Sequence, residues 1–116
     1  MRNLPGQFPK GTEFPKLEFG NPYRCDGWRH DTRGVYCMYY EFSGHKKCYK
    51  KRVPLSEIEA AAEHLKAGNI FNRPAFKSLC PVSCRDGHCG FAVIGRILEK
   101  IFGARHDGRN GFVTPD

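Results

Sequence analysis

No apolar stretch of this 116-residue chain approaches the roughly 18 residues that a membrane-spanning helix requires. There is no internal repeat and no low-complexity tract, which removes repeat arrays and biased linkers from consideration. Acids are scarce, 12 against 19 Lys and Arg, leaving a net charge of +7. The start, Met1-Arg2-Asn3-Leu4-Pro5, lacks the apolar region of a secretory leader. A secreted form would therefore have shed its leader, with Met1 as an expression start. What is present is enough for a core. Apolar residues make up 40% and aromatics 13%, which excludes disorder by composition.

Six cysteines are the strongest signal: Cys25, Cys37, Cys48, Cys80, Cys84 and Cys89. An even count in a short chain predicts a disulfide framework formed in an oxidising compartment, and so a secreted protein. The pairing is open, although a Cys37–Cys48 bridge across a hairpin is one candidate. A zinc module is the competing reading, because Cys80, Cys84, His88 and Cys89 crowd into ten residues. Structural zinc favours two short-spaced pairs separated by a loop, and no second pair exists here. The expectation is therefore no metal and no cofactor.

A basic small protein is drawn to nucleic acid, anionic membrane or acidic proteins. The densest block runs from His45 to Arg52 and holds Lys46, Lys47, Tyr49, Lys50, Lys51 and Arg52. Together with Arg24, Trp28 and Arg29 it forms a candidate basic-aromatic binding surface. Cations neutralise phosphates and rings stack on unpaired bases, a mixture suited to single-stranded nucleic acid. The competing reading is a strand pair with a solvated basic face and its aromatics turned inward.

Residues 1–22 carry Pro5, Pro9, Pro15 and Pro22 with Gly6, Gly11 and Gly20. This predicts an extended or irregular surface arm, docked by Leu4, Phe8, Phe14, Leu17 and Phe19. Residues 23–116 then form a single domain. Gly34 to Phe42 is rich in β-branched and aromatic residues. Ser43-Gly44 is a turn signal, and Cys48 to Val53 returns as the partner strand. Residues 54–68 read as a helix with Ile58, Ala61, Ala62 and Leu65 on one face and Gly68 as its stop. His64 falls on its surface. Residues 69–90 read as loop. Residues 91–103 fit either a short second helix ending at Gly103 or a core strand. The predicted fold is α+β: a small antiparallel sheet packed on one main helix and stapled by disulfides.

Cys48, Val53-Pro54, then Ile58-Glu59-Ala60-Ala61-Ala62 resembles the opening of the fungal guanyl-specific ribonucleases. Tyr23-Arg24-Cys25 resembles the Tyr-x-Cys triplet of the secreted ribonuclease-like effectors of plant-pathogenic fungi. The tail from His106 to Val113 is similar to the family's closing His, Gly, Asn and Phe. The resemblance covers about a quarter of the chain. It implies RNA cleavage in which a carboxylate takes the 2′-hydroxyl proton, a histidine protonates the departing 5′ oxygen and an arginine stabilises the phosphorane. His106 matches the acid, and Glu41 in Tyr40-Glu41-Phe42 is the candidate carboxylate. The family's histidine after the helix is absent, since Asn72-Arg73-Pro74-Ala75-Phe76 stands in its place. The resemblance therefore implies a secreted, non-catalytic virulence effector, extracellular or delivered into host cells. It would be a monomer binding RNA or a host protein, with an immune receptor among the candidates. An active ribonuclease cleaving single-stranded RNA is the alternative, and a zinc-binding interaction module the second.

Overall fold

A computed structural model describes residues 3–18, 20–43, 48–108 and 111–114. Four strands, β1 (Glu13–Phe14), β2 (Tyr23–His30), β3 (Tyr36–Ser43) and β4 (Cys48–Pro54), form an antiparallel sheet in chain order. The β3–β4 hairpin is continuous from Cys37 opposite Pro54 to Ser43 opposite Cys48. Between β2 and β3 the register slips at Asp26 and Gly27. Gly27 has φ 100°, a conformation closed to most side chains, which makes it the natural residue for this bulge. The β2–β3 turn is built by Asp31, whose Oδ1 accepts from Arg33 N and Val35 N, both at 2.9 Å. Those bonds hold the Asp31 carboxyl below its usual range, with Arg52 assisting.

Helix α2 (Leu55–Lys66) follows directly and buries Ile58, Ala61, Ala62 and Leu65, the face that the spacing predicts. It also buries Glu57, which accepts from Val82 N and Ser83 N at 2.9 Å and from Ser83 Oγ at 2.7 Å. A buried carboxylate requires such partners, and here they are orphan donors at the start of a short helix.

The sheet is not packed on one main helix. After α1 (Leu4–Gln7) and α2 come α3 (Arg73–Leu79), α4 (Pro81–Arg85) and α5 (Cys89–Phe102). Residues 69–90 are therefore largely helical rather than loop. Asn72 caps α3 by accepting from Ala75 N at 3.0 Å, and Pro74 and Pro81 stand in first turns, where a missing N–H costs nothing. The second helix is not short. At 14 residues α5 is the longest described, and it ends at Gly103 with φ 67°. It buries Phe91, Val93, Ile94, Ile97 and Leu98. Helices α2, α4 and α5 all contact β4. A final hairpin, β5 (Arg105–Asp107) with β6 (Gly111–Val113), bridges to Phe71 through Phe112. No helix among the described residues is long and apolar enough to cross a membrane.

In the N-terminal arm, Leu4, Phe8 and Phe14 are fully buried, while Phe19 lies outside the described residues. The Trp28 indole N–H donates to Phe8 O at 2.8 Å, and the Arg96 guanidinium donates to Pro15 O at 2.8 Å and Lys16 O at 3.0 Å. The arm is thus tied to both the sheet and α5.

The disulfide staple is not seen, because all six cysteines are free. The hairpin register separates Cys37 from Cys48 by about six residues along β4, roughly 20 Å. A bridge needs Cα atoms within about 7 Å. Other thiols have partners of their own. Cys25 Sγ lies 3.4 Å from Phe8 O, and Cys80 Sγ lies 3.6 Å from Glu57 O. Apolar packing carries the stability that covalent cross-links were expected to supply.

Gly95 faces the ring of Phe112, and a Cβ there would overlap it. Gly95→Ala is expected to lower stability by about 1–3 kcal/mol, read as a drop in urea midpoint at unchanged slope. An unchanged midpoint would mean that Phe112 does not pack on α5.

Candidate functional site

The expected basic-aromatic band is distributed over the sheet, and four of its described cations, Arg24, Arg29, Lys50 and Arg52, are paired with carboxylates. Arg24 pairs with Glu13 at 3.4 Å. Arg29 and Lys50 both approach Asp26 at 3.3 Å, and Lys10 reaches it at 3.9 Å. Burial alone would raise the Asp26 carboxyl, but the Lys50 and Arg29 bonds reverse this and hold it below its usual range. Arg52 lies between Asp31 at 3.5 Å and Asp86 at 3.7 Å. The aromatics are likewise engaged. The Arg29 guanidinium stacks over Tyr39 at 3.9 Å, Trp28 stacks on Tyr36 at 6.0 Å, and Tyr49 stacks on Phe42 at 5.3 Å. Lys51 Nζ sits 5.5 Å from the Phe42 ring centroid. Lys46 and Lys47 lie outside the described residues.

Glu41 and His106 are not brought together. Glu41 lines a cleft of about 380 Å³ on the sheet with Glu13 and Arg24. His106, on β5, lines a different cleft of about 700 Å³. The walls of this larger cleft come from four separate segments. The arm supplies Leu17 and Glu18, the start of α3 supplies Asn72 and Arg73, α5 supplies Phe91, and the final hairpin supplies His106. The His106 ring packs against Phe112 at 5.0 Å, which fixes one face and leaves the residue half-buried. The Arg73 guanidinium lies 4.8 Å over the Phe91 ring, a cation–π contact. Among the described residues, no carboxylate is ion-paired with Arg73. It therefore differs from Arg24, Arg29 and Arg52 in having its charge uncancelled at the mouth of a cavity.

Sequence reasoning found His106 and missed Arg73, Glu18 and Asn72. Asn72-Arg73-Pro74 did carry a signal, that of a capped helix start, but nothing local pairs Arg73 with Phe91. Glu18 carried none.

A smaller cleft of about 380 Å³ adjoins this one and shares Leu17, Glu18 and Arg73 with it. Lys16, Tyr23, His88 and Cys89 complete its lining. Burial, and next the neighbouring Cys89 thiol, push the Tyr23 hydroxyl up to about 12, so it stays neutral at physiological pH. No group of three or more His, Cys, Asp or Glu among the described residues is placed to hold a metal ion. Cys80, Cys84, His88 and Cys89 thus do not converge as a zinc module requires.

No protein-family model matches the chain, and neither a curated protein nor a solved structure shows significant similarity to it. The site has to be read from its own chemistry.

The thiols differ sharply in access. Cys25, Cys37 and Cys80 are buried, Cys84 and Cys89 are partly buried, and Cys48 is exposed. Burial raises the first three, Cys80 to about 12, which keeps them protonated and unreactive at neutral pH. Without reductant, a thiol reagent at pH 8 is expected to modify Cys48 first and Cys25, Cys37 and Cys80 only on unfolding, six in total. Fewer than six after unfolding would reveal cross-links and overturn the free-thiol arrangement. The same shifts carry a stability consequence with a definite sign. The unfolded chain loses these protons first, so stability falls as pH climbs from 9.0 toward about 12.

Proposed function

We propose that this chain acts by binding single-stranded RNA at the cleft formed by Arg73, Asn72, Phe91 and His106. The observation that carries this reading is Arg73, a cation stacked on an aromatic ring in a cleft of about 700 Å³ and ion-paired with no carboxylate among the described residues, on a protein of net charge +7. A phosphate is the natural partner for an uncancelled guanidinium. The flanking ring edge and the cavity volume suit a nucleotide. Long-range attraction from the net charge concentrates a polyanion near the surface, and Arg24, Arg29, Lys50 and Arg52, already paired with acids, contribute mainly to that general field. By the family resemblance the setting is that of a secreted fungal effector, outside the producing cell or within a host cell. With the thiols unpaired, that address rests on the resemblance alone.

A second reading, RNA turnover, is favoured by one specific observation: Glu18, Arg73 and His106 line the same cleft. In this reading Glu18, not Glu41, takes the 2′-hydroxyl proton. His106 protonates the leaving 5′ oxygen and Arg73 stabilises the phosphorane.

Arg73→Ala is expected to weaken binding of a short single-stranded RNA by about tenfold or more. It is also expected to flatten the plot of log affinity against log salt by about 0.7. Lys50→Ala, which removes a compensated cation, should change affinity much less. Equal losses in both variants would place the binding surface on the sheet and sink the cleft. Incubation with RNA separates the two readings. Binding without cleavage marks a binder, and cleavage abolished by His106→Ala marks an enzyme.

A further inference from the structure

Arg73, Leu17 and Glu18 belong to both clefts, so the larger and the smaller cavities are two lobes of one groove with Arg73 at its waist. The lobes differ in chemistry. The first is walled by Phe91 and His106. The second has Tyr23 as a polar wall beside the Cys89 thiol, with Lys16 supplying positive charge and His88 an imidazole that can bond a ligand. Lys16 Nζ lies 5.5 Å from the Tyr23 ring centroid, and among the described residues no carboxylate is ion-paired with it. The backbone carbonyl of Lys16 is fixed by Arg96, so the rim that carries this cation is anchored to α5 rather than loose.

We infer that the second lobe is a subsite for an adjoining nucleotide, so that the groove holds a ribodinucleotide astride Arg73. Its internucleotide phosphate sits on the guanidinium, one nucleoside occupies the Phe91–His106 lobe, and the other lies on Tyr23 within reach of Lys16 and His88. Two lobes of about 700 and 380 Å³ around one shared cation suit a ligand with a central anion and two flanking groups. A single free phosphate would leave both lobes empty. This inference rests on the RNA-binding reading and extends it by assigning ligand length.

The test is calorimetric binding of uridine 3′-monophosphate and of the dinucleotide uridylyl-uridine carrying a 3′-phosphate. The protein is compared with Lys16→Ala and His88→Gln variants whose thermal midpoints match the parent. The dinucleotide is expected to bind the parent at least about tenfold more tightly than the mononucleotide. Each variant should lose most of that gain while holding the mononucleotide as before. Mononucleotide binding with no gain on lengthening, or a gain untouched by both variants, overturns the second subsite and leaves the first standing. No binding of either probe by the parent overturns both.

Discussion

Helix α5 buries Phe91, Val93, Ile94, Ile97 and Leu98 along a single stretch, leaving Arg96, Glu99 and Lys100 as its principal polar outlet. A helix so apolar has no stable existence in water and must be enclosed. The sheet covers it through β4, α2 and α4 pack beside it, and the final hairpin closes over Gly95 with Phe112. The remaining elements can be understood as walls around this helix. That explains how a chain with six free thiols reaches a compact form without a covalent bond between its parts. At this length, burial of one central element can supply what cross-links provide in smaller domains.

The groove follows from the same constraint. Its walls are places where the surrounding elements fail to meet over the amino-terminal end of α5, namely the arm, the start of α3 and the turn of the last hairpin. Phe91 is both core and wall, packing on Phe71, Phe76 and Phe112 while offering its outer face to Arg73. The cation is therefore mounted on a ring that the core holds rigid. The sheet cations lie on long side chains whose charges are met by carboxylates, Arg24 by Glu13 and Lys50 by the largely buried Asp26.

The parts of the fold that were legible in the sequence are those with a strong local signal. The strand pair around Tyr36–Ser43 is dense in aromatic residues beside a turn signal, and α2 repeats its apolar positions at helical spacing, so each was visible without its neighbours. Helices α3 and α4 span 7 and 5 residues, too short for a period to develop, and Pro74 and Pro81 read as breaks when they stand in first turns. Residues 91–103 were ambiguous because Val93, Ile94 and Ile97 suit a strand as well as a buried helix. The cysteines misled because their number is a compositional fact, whereas bridging depends on distance, and the hairpin register places Cys37 and Cys48 at opposite ends. In the site, His106 stood out by resemblance. Arg73 acquires its meaning only from a ring far along the chain, and Glu41 is divided from His106 by the fold.

Two guanidinium bonds from Arg96 to the carbonyls of Pro15 and Lys16 fasten the arm without engaging any arm side chain. The backbone is held while Lys16 and Glu18 remain free to vary. Substitutions at these positions can remodel the groove's rim without dismantling the hydrophobic interior. That rim is thus an editable strip whose chemistry is uncoupled from foldability.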